Sequence, residues 1–217
     1  MPTVLHAVLF AFTPSLLGRV DESTQWRLLL VIFILTFLVP LFFTFFLLQY
    51  GLAGTWGWGK NAGDDQNSFP AGGFTAQPAM FDRLQMQDRT RRFVPFLFTT
   101  FIYGADTFLF TRNLSALHLS VVILGAVSVC IGLVTVITLF WKISAHAVGI
   151  GGMIGFLFGI GYTFTAIELL YPVLLTILAA GMLLSARLYL NSHTPSETGA
   201  GFLLGLTVCL SAVVIWG

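Results

Sequence analysis

Two polar turns interrupt an otherwise apolar chain, and each places a histidine beside a cation and a hydroxyl. The first is Trp141-Lys142-Ile143-Ser144-Ala145-His146; the second runs from Ala186-Arg187 through His193-Thr194-Pro195-Ser196 to Glu197. Ionisable groups at a membrane boundary are costly and are functional candidates by default. One histidine can attack phosphorus, a carboxylate can orient it, a second histidine can protonate the leaving oxygen, and cations can hold the phosphate oxygens. Two histidines, two cations and a carboxylate at helix boundaries therefore suit phosphoryl transfer. Plainer uses exist for two of these residues. Serine ahead of a helix is a common N-cap, which covers Ser144, and Lys142 can snorkel to the headgroups.

Elements that could hold such turns follow from composition. Of 217 residues, 57% are hydrophobic and 9% are charged. A soluble domain carries about a quarter charged residues, so a water-facing surface cannot be built. Disorder is excluded by the same figures, a disulfide scaffold by having two cysteines, and a nucleic-acid field by a net charge of +1. The chain reads as an all-α, polytopic integral membrane protein. A spanning helix needs roughly 20 mostly apolar residues, and six runs qualify: 28–48 (with Pro40 inside it), 93–110, 117–141, 147–167, 172–190 and 198–216. Residues 1–18 lack a basic start and contain His6 and Pro14, so they read as a short interfacial or re-entrant segment rather than a signal or a span.

The whole chain, 1–217, reads as one domain with one long polar loop, 51–92. That loop opens on a Gly-, Asn- and Asp-rich half with Trp56 and Trp58 suited to the interface. Its second half, 79–92, suits a helix lying on the interface. Six glycines between Gly149 and Gly161 read as a close helix–helix contact. Asp106, near the end of the second span, reads as solvated or paired, and His6 and His118 as interfacial. Six crossings put loop 51–92 and both histidine turns on one face, which carries seven of the ten Lys and Arg. Positive-inside counting does not orient the chain. Five of those seven belong to the proposed chemistry, and the two left against three carry no bias.

In order and spacing, the turns resemble the type-2 phosphatidic acid phosphatases, whose membrane members have six spans and three motifs, KxxxxxxRP, PSGH and SRxxxxxHxxxD. The third is matched by Ala186-Arg187, five residues, His193, three residues and Glu197; the second by Ile143-Ser144-Ala145-His146. The likeness covers the third to sixth spans, and the first half by topology. It implies a phosphohistidine at His193 oriented by Glu197, with His146 as general acid. Phosphate oxygens would be held by Arg187 and Ser144, with Lys142, Arg89 and Arg92 as further cations. It implies no metal or cofactor, a lipid phosphomonoester or prenyl pyrophosphate as substrate, and a bacterial inner membrane as the location. Glu197 stands for Asp, Ala186 for Ser, Ala145 for Gly and Ile143 for Pro, and the first motif is absent as written. Two alternatives follow from these departures and from the span count: a silent lipid-headgroup-binding protein of the same fold, and a small transporter subunit.

Overall fold

In hydrocarbon a backbone satisfies its own hydrogen bonds only as a helix or a closed barrel, and these long apolar runs without strand-like alternation become helices. The computed structural model describes residues 1–17, 21–49, 89–113, 118–190 and 193–217. In order they form α1 (Pro2–Phe12), α2 (Glu22–Phe33), α3 (Val39–Gln49), α4 (Arg89–Asn113), α5 (His118–Phe140), α6 (Ala145–Thr163), α7 (Leu170–Tyr189) and α8 (Pro195–Trp216). Among the described residues, five helical stretches are long and apolar enough to cross a bilayer: Glu22–Phe46, His118–Phe140, Ala145–Thr163, Ile167–Tyr189 and Pro195–Trp216. The described residues thus form an all-α membrane protein with five such stretches; the remaining expected run lies in the continuous 25-residue helix α4. The expected interfacial helix at 79–92 falls largely outside the described residues.

The centre is the contact between α6 and α8, and glycine is what allows it. A methyl group at Gly205 would run into the Val148 carbonyl, and one at Gly151 into the Phe202 carbonyl. At Gly155 it would stand 2.6 Å from the Leu206 carbonyl, and at Gly201 2.8 Å from the Ser144 carbonyl. Both backbones therefore approach more closely than any larger residue permits. Leu157, Ile160 and Val213 are fully buried around this seam. Helix α7 lies at the periphery, with Leu174, Leu175, Leu178 and Met182 exposed, as lipid-facing side chains are.

A single π turn, Ile34–Leu38, joins α2 to α3 just before Pro40. Proline has no N–H to give the carbonyl four residues back, here that of Thr36. The Tyr103 hydroxyl of α4 supplies the missing bond, donating to Thr36 O at 2.9 Å. Helix α4 in turn runs antiparallel along α5. A methyl at Gly125 would touch Thr107, one at Gly132 would touch Thr100, and Thr100 Oγ1 lies 3.2 Å from Thr135 Oγ1.

Two readings are corrected. The N-terminal segment, expected as short interfacial or re-entrant, packs into the bundle: Leu5, His6 and Leu9 of α1 are buried, and Met1 reaches Gly149 of α6. Its apolar stripe at i and i+4 packs inward, and His6 tolerates burial because both ring nitrogens are partnered. Nδ1 lies 2.7 Å from Pro2 O and Nε2 3.1 Å from Ser120 Oγ, so Nδ1 carries the proton and Nε2 accepts. Asp106 is buried and not solvated: it is 3% exposed, and its Oδ2 finds no hydrogen-bond partner among the described residues. It lies on a face of α4 turned into protein rather than to the interface.

Candidate functional site

The entry to α8 is a capping box built by Thr194-Pro195-Ser196-Glu197. Thr194 is extended (φ −77°, ψ 160°), and its Oγ1 accepts the Glu197 N–H at 3.3 Å. The Glu197 carboxylate reaches back to accept the Thr194 N–H at 3.2 Å, and Pro195 occupies the first turn, where its missing N–H costs nothing. The same Oε2 accepts from His193 Nδ1 at 2.9 Å. One carboxylate thus fixes both the helix start and the imidazole. Placing the proton on Nδ1 leaves the Nε2 lone pair free to attack an electrophile. Reaching both donors from the third helical position is the task glutamate performs in such boxes, which gives Glu197 a local reason where the resembled motif has aspartate.

His193 is 7% exposed. Burial holds its imidazole below the ordinary histidine value of 6.5. The Glu197 hydrogen bond opposes that shift, and the charges of Lys142 and Arg187 add to it. Lys142 is half-buried in the turn before α6, and Arg187 is half-buried in the last turn of α7. Arg187 Nε is itself buried and has no hydrogen-bond partner among the described residues.

The second turn is joined to the first through the backbone. Ser144 N–H donates to the Glu197 carbonyl at 3.4 Å, so the start of α6 is tied to the first turn of α8. Ser144 is fully buried and caps α6, its Oγ accepting the Ala147 N–H at 3.5 Å. The hydroxyl proton stays available after that role. His146 stands on the first turn of α6 with an exposed side chain. His193, Glu197, Ser144, Lys142 and Arg187 are therefore brought to one end of the bundle, with His146 at its edge. Arg89 and Arg92 begin α4, and their side chains lie outside the described residues.

One buried polar group beside this site was not singled out from sequence. Thr198 is 3% exposed, and its Oγ1 has no partner among the described residues. A threonine in an apolar helix carries no signal of its own, so only its place next to Glu197 could have drawn notice. No known protein family, curated protein or solved structure matches the chain.

Proposed function

We propose that this protein is a membrane phosphatase that hydrolyses a lipid phosphomonoester or prenyl pyrophosphate through a phosphohistidine at His193, in the manner of the type-2 phosphatidic acid phosphatases it resembles. The observation that carries this reading is the part-buried His193–Glu197 pair, 2.9 Å apart, tied through the backbone to the Ser144 turn. In this reading His193 Nε2 attacks phosphorus and the P–O bond to the lipid breaks. The departing oxygen takes a proton from His146. Glu197 stabilises the positive charge that develops on the ring. Water, deprotonated by His146, then attacks the phosphohistidine, releasing phosphate and restoring His193. Arg187, Lys142 and the Ser144 hydroxyl hold the phosphate oxygens, with Arg89 and Arg92 as further cations from α4.

Helix α4 completes the proposed six-span arrangement. At 25 residues and about 1.5 Å per residue it exceeds the roughly 30 Å of hydrocarbon, and its antiparallel packing on α5 carries it through the same slab. The lipid tail then stays in the bilayer while the phosphate meets the cations at the bundle's end. A binding-only reading draws on Ala186 and Ala145, which stand where the family motifs have Ser and Gly. Phosphate release from phosphatidic acid, phosphatidylglycerol phosphate and a prenyl pyrophosphate, measured in detergent with EDTA, separates the two. Wild type should release phosphate from at least one, and His193→Ala from none. Headgroup binding that depends on Arg187, with no release from any lipid by wild type, would replace the phosphatase reading by the binding one.

A further inference from the structure

Nine threonines in these helices share one habit, and the buried Thr198 departs from it. Thr36, Thr99, Thr100, Thr107, Thr111, Thr135, Thr138, Thr176 and Thr207 each donate their hydroxyl to the carbonyl four residues earlier. That bond is how a hydroxyl is satisfied in an apolar helix. Thr198 has the same opportunity, since the Thr194 carbonyl is in place and accepts the Thr198 N–H at 3.1 Å. Its hydroxyl nevertheless makes no such bond and is left buried without a hydrogen-bond partner among the described residues. An orphaned buried hydroxyl is destabilising, and departures of this kind collect at functional sites.

Helical phase says where it stands. Thr198 lies one turn before Gly201, whose missing side chain faces the Ser144 carbonyl and Ala147. One turn is about 5 Å along the axis, which carries Thr198 past Gly201 to the start of α6. Thr198 therefore stands level with the start of α6, where the first-turn N–H groups of that helix open. Glu197 precedes it in the chain, and Arg187 Nε, which also has no hydrogen-bond partner among the described residues, belongs to the same end of the bundle.

We infer that Thr198 is a phosphate-binding residue whose hydroxyl, with Arg187 Nε–H, donates to the non-bridging oxygens of a tetrahedral oxyanion seated at the start of α6. This inference rests on the phosphatase reading and adds to it a ligand from α8. A tetrahedral oxyanion suits two donors on different helices, because its oxygens diverge.

The test uses the full chain in detergent, with orthovanadate as the probe and phosphate release from a lipid phosphate as the second readout. Thr198→Val keeps the shape and removes the hydroxyl; Thr198→Ser keeps the hydroxyl. Thr198→Val should bind orthovanadate about tenfold more weakly, the loss of a good hydrogen bond to a charged group, and should melt no lower than wild type. Thr198→Ser should bind as wild type does. If Thr198→Val binds orthovanadate and turns over as wild type does, the inference falls while the phosphatase reading stands. A purely structural hydroxyl would show the opposite pattern, a lower melting temperature with undiminished vanadate affinity. Should wild type neither bind orthovanadate nor release phosphate, the phosphatase reading falls and takes this inference with it.

Discussion

The chemistry at the level of single residues turns on the state of His193. Its pKa lies below 6.5, chiefly through burial, so the ring stays neutral and nucleophilic somewhat below that pH. The acid limb of the rate profile should accordingly fall below pH 6.5. Two variants move it in opposite directions. Glu197→Gln removes the negative charge that raises the pKa, and should push the limb lower while cutting the rate at least about 100-fold through loss of orientation. Lys142→Met removes a charge that lowers it, and should push the limb higher. Profiles that do not move, or that move together, would contradict this account of the site. Stability follows with the same sign: below pH 6.5 the unfolded chain binds a proton on this histidine before the folded one does, so the folded state loses ground as pH falls toward the folded pKa. The His193–Glu197 pairing was legible in the sequence through the motif it resembles, in which three residues separate histidine and carboxylate. Thr198 was not, because the direction of a hydroxyl is set by its packing and not by its residue type.

At the scale of elements, the site depends on how closely α6 and α8 approach. Gly205→Ala would drive a methyl group into the Val148 carbonyl, and a carbonyl in a helix has nowhere to go. The two helices must separate, which should cost about 1–3 kcal/mol as overpacking does and should also stretch the Ser144–Glu197 link. Gly181→Ala on the exposed side of α7 is the control, since nothing lies within 4 Å of the added methyl. Melting in detergent should fall for the first and hold or rise for the second; equal melting would contradict the close-contact account. The glycine spacing made this contact legible. The burial of the N-terminal helix was not legible for the converse reason: His6 and Pro14 mark the stretch as polar, and the partners of His6, Pro2 O and Ser120 far away in sequence, are what make its burial tolerable.

For the whole molecule the open quantity is the number of crossings. Composition made the bilayer legible, and the five qualifying stretches agree with it. The sixth rests on the antiparallel packing of α4 along α5. With α4 as a crossing, loop 51–88 shares a side with the α8 entry; without it, that loop lies on the opposite side. Single cysteines at Lys60 and Ser196, in a background lacking Cys130 and Cys209, should therefore react with an impermeant maleimide from the same side of sealed vesicles. Labelling from opposite sides would reduce the fold to five crossings and detach Arg89 and Arg92 from the site.

A nucleophilic His193 must become covalently phosphorylated, and trapping that intermediate is the decisive experiment. Wild-type protein should be mixed with a lipid carrying radiolabelled phosphate, in EDTA, and quenched within the first turnover under conditions that preserve phosphohistidine. The account predicts a base-stable, acid-labile label that maps to the peptide containing His193, is absent from His193→Ala, and builds up in His146→Ala if hydrolysis is the step His146 serves. Rapid phosphate release by wild type with no label, or a label retained in His193→Ala, would contradict it.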